Sequence, residues 1–143
     1  MVIKKVFVIG AGQMGNGIAQ VSAQAGYDVV MSDIKEEFVK KGMETIGKSL
    51  DRSVKKGTMQ ESDKAAILAR IQTTTDNKNA KDADMVIEAA PEILELKKNI
   101  FKQLDEVCKP DAILASNTSS LPISEIATAV KNPARFIGIH FMN

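Results

Sequence analysis

Cysteine and histidine each occur once in the 143 residues, at Cys108 and His140. A lone cysteine cannot close an internal disulfide, and with no second cysteine or adjacent histidine Cys108 supports neither a zinc site nor an activated nucleophile. An excess of either charge is also missing: nineteen basic and eighteen acidic side chains leave a net +1. That balance removes the basic footprint expected of a nucleic-acid binder. No apolar run approaches the ~20 residues of a membrane-spanning helix. Nor does the N-terminus combine a charged lead, a long apolar core and a small-residue cleavage site. The expectation is a soluble protein in a reducing, cytoplasmic setting, without nucleic-acid or membrane partners.

What remains is an ordinary globular composition, 44% hydrophobic and 26% charged, in a length suited to one domain with its own core. Val2 to Ile9 is apolar apart from Lys4 and Lys5 and rich in β-branched residues, which predicts a strand buried on both faces. A glycine-rich turn follows. Met14, Ile18, Val21 and Ala25 then recur at helical spacing up to Gly26, a residue suited to a left-handed helix end. Tyr27 to Ser32 is a second apolar run closed by Asp33, so strand, helix and strand are complete within about thirty residues.

Residues 34–71 depart from this alternation. Phe38, Met43, Ile46, Leu50 and Val54 mark one amphipathic helix, and Ala65, Leu68 and Ile71 a second. Gly57 and the run Thr58-Met59-Gln60-Glu61 between them resemble a helix stop and a capping box. A projecting helical hairpin is expected there. Further strands are predicted at 71–74, 84–88, 112–115 and 136–139, with helices at 93–107 and 121–130 and turn chemistry at Asp76 to Asn79. On the helix at 93–107, Leu96, Ile100, Phe101 and Leu104 are expected to share the apolar face. Repeated βα units with apolar strands predict an α/β fold: a Rossmann-type, doubly wound, mostly parallel sheet, one domain over 1–143.

The chemistry-bearing residues fall at strand ends. Gly10-Ala11-Gly12-Gln13-Met14-Gly15 lies between a predicted strand and a predicted helix, with Asp33 ending the next strand 23 residues after Gly10. In a dinucleotide site Gly10 permits the turn, Gly12 lets the backbone approach the pyrophosphate, and Gly15 allows helix and strand to pack closely. The helix N-terminus then offers its N–H groups to phosphate. Asp33 would accept the adenosine ribose hydroxyls and repel an extra phosphate, favouring NAD over NADP; alternatively it caps the helix after Ile34. The other strands end in Glu88 to Glu92, in Ser116 to Ser120 and in His140, on the edge where open α/β sheets bind ligands.

His140 is the one side chain suited by its ordinary pKa to proton exchange near neutrality, or else a half-buried histidine at a strand end. Ser119 could hold a substrate oxygen or cap the helix that follows. Lys48, Arg52 and Lys55, with Ser49 and Lys56 adjacent, give the first hairpin helix a basic stripe that is either solvated or a grip on a phosphorylated substrate.

Together these motifs resemble the 3-hydroxyacyl-CoA dehydrogenase family, in particular its bacterial 3-hydroxybutyryl-CoA branch. The resemblance spans the chain and rests on Val8 to Gly15, on Glu88-Ala89-Ala90-Pro91-Glu92 with Lys97, on Ala115 to Leu121, and on His140-Phe141-Met142-Asn143. Where the family commonly has phenylalanine, Met142 stands. The resemblance implies that Asp33, Glu92, Lys97 and Asn143 contact NAD and that Ser119 lies between the nicotinamide and the substrate hydroxyl. It further implies that His140 is the catalytic acid/base and that Ser49 and Lys56 contact coenzyme A of an acyl-CoA substrate.

The implied reaction is reversible hydride transfer between a 3-hydroxyacyl-CoA and the cofactor, as in fatty-acid and butanoate metabolism. Competing readings are a non-catalytic NAD-binding module and an NADP-dependent acetoacetyl-CoA reductase of the same family. A dehydrogenase of the 6-phosphogluconate type is disfavoured by the pairing of Ser119 with His140. Family members continue past the histidine with a glutamate that pairs with it and a helical domain that completes the substrate site and dimerises. On that basis the 143-residue chain alone is expected to bind NAD weakly and to turn over little or nothing.

Overall fold

A computed structural model describes residues 2–141. Six strands form one sheet: β1 (Lys5–Ile9), β2 (Asp28–Ser32), β3 (Ile71–Thr74), β4 (Met85–Glu88), β5 (Ile113–Asn117) and β6 (Phe136–Ile139). All pairings are parallel, in the order β3-β2-β1-β4-β5-β6. The chain thus builds outward from β1 in one direction, then crosses back and builds outward from β4 in the other. The crevice between β1 and β4 is the topological switch point, where such sheets take their ligands.

Period-two side-chain alternation explains why β1 reads as continuously apolar. Val6 and Val8 enter the core on one face with Ile18, Ala19, Met31, Ile46 and Leu50, whereas Phe7 and Ile9 enter the core on the other with Val86, Phe101, Leu104 and Ile126. The first face carries α1 (Gln13–Gln24), α2 (Glu36–Lys55) and α3 (Glu61–Ala69). The second carries α4 (Leu94–Val107) and α5 (Ile123–Ala127). Phe101 meets Phe136 edge-on, with ring centroids 4.9 Å apart, which fixes α4 against the outer strand β6.

The helical hairpin forms as expected, and its first helix is packed down on the domain. Val39, Gly42, Ile46 and Leu50 are buried, and an added Cβ at Gly42 would come within 2.9 Å of the Ala11 carbonyl. Gly57 ends this stretch with φ +78. The capping box lies two residues beyond its expected place. Gln60 is the N-cap and Asp63 its partner, while Thr58 instead donates its hydroxyl to the Ser53 carbonyl.

Other boundaries shift for local reasons. Val2 is exposed and β1 starts at Lys5, opposite the first residue of β2. β5 runs on to Asn117 because β6 continues to pair with it. The helix predicted at 121–130 shortens to α5, entered from Pro122. On α4 the inward face is Lys97, Phe101 and Leu104, and Leu96 faces outward. No helix among the described residues is long and apolar enough to cross a membrane.

Candidate functional site

The loop between β1 and α1 shows why glycine is required at two positions. Gly10 has φ +108, and a Cβ there would lie 2.6 Å from the Ala89 carbonyl; one at Gly15 would lie 1.9 Å from the carbonyl of Gly10. The loop is therefore pressed against both α1 and the segment after β4. Gly12 differs, since a Cβ there would meet nothing within 4 Å. It is the N-cap of α1, no side chain caps that end, and no acidic residue occupies the first turn. The positive end of the helix consequently faces an open cleft.

Asp33 is tied to this loop rather than to the next helix. One carboxylate oxygen accepts the Ala11 N–H at 2.9 Å and the other the Ile34 N–H at 2.7 Å. The N-cap of α2 is Lys35, so the capping alternative for Asp33 is set aside. A cavity of 630 Å³ opens over the switch point, bounded by Gly10, Gly12, Gln13, Met14, Asp33 and Pro91 and by the apolar side chains of Ile34, Phe38, Leu96 and Ile100. Its size is that of a small-molecule cleft. A second pocket of 250 Å³ adjoins it across Met14, Ala89, Ala90 and Pro91 and brings together Glu92, Asn117, Ser119 and His140.

Beneath these pockets lies a buried polar network. Lys97 and Glu88 are wholly buried and 2.7 Å apart. The Lys97 ammonium also pairs with Glu92 at 2.8 Å, and Ser116 donates to Glu88 at 2.5 Å. Glu92 is partly exposed and accepts from the hydroxyls of Thr118 and Ser120 at 2.5 Å and 2.8 Å. Its burial alone would push the carboxyl pKa up; the hydrogen bonds from Lys97, Thr118 and Ser120 outweigh that and bring it down to about 2. Glu92 is thus an anion at neutral pH, held at the mouth of the second pocket.

Several expected residues are brought together and others are not. Gly10, Gly12, Gln13, Met14 and Asp33 share the large cavity; Glu92, Ser119 and His140 share the small one. Ala11 and Gly15 are buried in the loop itself. Lys97 has no exposed side-chain surface. Ser49 accepts a hydrogen bond from Gln20 of α1 at 3.0 Å, while Lys56 is exposed just beyond α2; both lie outside the two cavities. Asn143 lies outside the described residues. No metal-binding cluster of histidine, cysteine or acidic residues occurs among the described residues.

Glu88, Ser116 and Asn117, which the sequence places at the strand ends without a role of their own, are structural members of the site. A signal for them existed. Glu88 is a carboxylate ending the apolar run Met85-Val86-Ile87, and Lys97 interrupts the buried stripe of α4, and two such charges in a core require one another.

A parallel sheet in this order, with a glycine loop at the switch point and an acidic residue closing the second strand, defines a dinucleotide-binding α/β domain. The sequence profile of the family described as 3-hydroxyacyl-CoA dehydrogenase, NAD binding domain, matches residues 5–143. The chain belongs to that family. It is 52% identical to a probable 3-hydroxybutyryl-CoA dehydrogenase of Deinococcus radiodurans over 139 residues, 97% of this chain and 50% of the relative. It is also 52% identical to the 3-hydroxybutyryl-CoA dehydrogenase of Bradyrhizobium diazoefficiens over 142 residues, 99% of this chain and 48% of that protein. The crystal structure of (S)-3-hydroxybutyryl-CoA dehydrogenase from Ralstonia eutropha superposes with a TM-score of 0.96 at 48% identity, covering 99% of this chain and 50% of that one. The chain therefore spans about half the length of the curated relatives it matches.

Proposed function

We propose that residues 1–143 form the cofactor-binding part of an NAD-dependent (S)-3-hydroxyacyl-CoA dehydrogenase acting on 3-hydroxybutyryl-CoA and acetoacetyl-CoA. The observation that carries this reading is the continuity of the two cavities: Met14 of the glycine loop borders both, and the second holds Ser119 and His140 together. The residues present fit a dinucleotide. A cradle that any Cβ would fill at Gly10 and Gly15, open space at Gly12 and an uncapped helix end suit a pyrophosphate. The apolar walls at Ile34, Phe38 and Leu96 suit an adenine face, and the anionic Asp33 suits ribose hydroxyls while disfavouring a 2′-phosphate. NAD is accordingly preferred to NADP.

When bound, the nicotinamide supplies the hydride acceptor or donor. His140 removes the proton from the 3-hydroxyl during oxidation and returns it to the oxygen during reduction. Ser119 holds that oxygen by a hydrogen bond. Glu92 and Lys97 shape the floor beneath, and Asn143 adds a cofactor contact. Ser49 and Lys56 on the α2 side receive the coenzyme A portion, aided by the basic stripe of Lys48, Arg52 and Lys55. A cytoplasmic setting accords with this metabolic role.

Titration of the chain with NADH and then with acetoacetyl-CoA tests the proposal. Binding of both, with acetoacetyl-CoA perturbing His140, is the expected result. Cofactor binding with no response to the acyl-CoA would favour a non-catalytic NAD-binding module.

A further inference from the structure

The floor of the small pocket is organised by a pair of residues that do not touch it. Lys97 Nζ is 2.7 Å from Glu88, 2.8 Å from Glu92 and 3.4 Å from the Asn117 carbonyl. An ammonium has three donors, so protein acceptors occupy all of them. Glu88 is equally committed. One of its oxygens accepts from Ser116, and the other accepts from the Ala90 N–H at 2.6 Å as well as from Lys97. The pair therefore touches both loops of the site: Ala90 and Glu92 after β4, and Ser116 and Asn117 at the end of β5. Asn117 in turn accepts the Phe141 N–H at 3.0 Å, next to His140.

Stability does not by itself call for this arrangement, because well-packed apolar residues of similar volume commonly serve a fold as well as a buried ion pair. What the charges add is direction. Lys97 cannot swing toward the cleft without leaving the buried Glu88 carboxylate unpaired, an outcome that is strongly unfavourable. Its reach toward a ligand is thus transmitted through Glu92 and Asn117.

We propose that Glu88 is a positioning residue of the cofactor site, acting through Lys97 to hold Glu92 and the 117–120 turn in register so that the Ser119 and His140 pocket is preformed. This rests on the reading of this strand edge as an NAD site, with the nicotinamide end in that pocket. Lys97 is then a positioning residue as well, and its effect on the cofactor passes through its partners.

The test compares NADH with ADP-ribose, which lacks the nicotinamide, by calorimetric titration of the chain and its variants. Glu88→Gln keeps the side-chain shape while removing the charge that holds Lys97, and Ser116→Ala loosens the same node more gently. The expected result for Glu88→Gln is NADH binding weaker by on the order of tenfold with ADP-ribose binding changed less than about twofold. Ser116→Ala moves in the same direction by less. Adding Lys97→Met to Glu88→Gln brings no further loss selective for NADH.

Equal weakening of both ligands would show a purely structural role and overturn the proposal, as would wild-type NADH binding by Glu88→Gln. A full additional NADH loss from Lys97→Met would show direct contact and overturn the relay. Should the double variant fail to fold, the two single variants still decide. Wild-type chain that binds neither ligand would instead overturn the cofactor reading on which the inference stands.

Discussion

Asn117 receives the Phe141 N–H on its side-chain oxygen at 3.0 Å, so the last residue of β5 fixes the backbone immediately after His140. Ser119 and His140 come from different strand ends, 21 positions apart, and this hydrogen bond links their segments across the open end of the sheet. Asn117→Ala removes the acceptor and costs about 1 kcal/mol of local stability. Amide exchange at Phe141 should accelerate while exchange in β1 is unchanged. Unaltered exchange at Phe141 would show that the segment is held by other contacts.

Asp33 holds the glycine loop and, in the proposed reading, sets the cofactor preference. Its carboxylate holds the Ala11 N–H and stands on the wall of the large cavity. Asp33→Ala should weaken NADH binding by about tenfold, or ~1.4 kcal/mol, while NADPH binding falls less or improves. Competition titrations with the two cofactors read the ratio. A ratio unchanged by the substitution would contradict the role given to Asp33.

Two glycines of the same loop should respond oppositely. Gly15→Ala drives a Cβ into the Gly10 carbonyl and forces α1 away from the loop, an overpacking cost on the order of 1–3 kcal/mol seen in thermal denaturation. Gly12→Ala meets no atom within 4 Å, so stability should stay within ~0.5 kcal/mol while NADH binding weakens. Destabilisation by Gly12→Ala comparable with that of Gly15→Ala would place the open face of the loop elsewhere.

The contrast between those glycines also shows what was legible in the sequence. The strand-turn-helix context of Gly10, Gly12 and Gly15, the closure of β2 by Asp33 and the helical hairpin all follow from local patterns of period two and period 3.6, and the fold follows from their alternation. The buried relay did not follow. Glu88 and Lys97 are nine residues apart on different elements, and their pairing depends on how α4 packs against β4, a tertiary fact. The displaced capping box has a similar origin. Thr58 and Gln60 are both competent caps, and the α3 start is set where Asp63 can reach back to the Gln60 N–H.

At the opposite end of the sheet, Asp84 anchors the starts of two strands. It accepts the N–H groups of Lys4 and Lys5 at 2.9 Å and 3.0 Å and pairs with Lys109. The Lys109 side chain and the two backbone N–H groups hold its carboxyl far below the usual carboxylate range. A carboxyl whose pKa is lower folded than unfolded contributes stability that is present above its unfolded pKa and lost as pH falls toward the folded value. Asp84→Asn should therefore lower stability at neutral pH by about 1–2 kcal/mol, with a smaller penalty below pH ~3. Urea denaturation at the two pH values measures this. A penalty independent of pH would mean that packing, not charge, sets the contribution of Asp84.

In the proposed reading one continuous strand edge holds the cofactor, with the nicotinamide end between Ser119 and His140. Amide chemical-shift mapping of the chain with NADH tests it most directly. Shifts are expected at Gly10 to Gly15, Asp33 and Ala90, extending to Ser119 and His140. Saturable NADH binding that leaves Ser119 and His140 unmoved, or that maps away from the glycine loop, would contradict it.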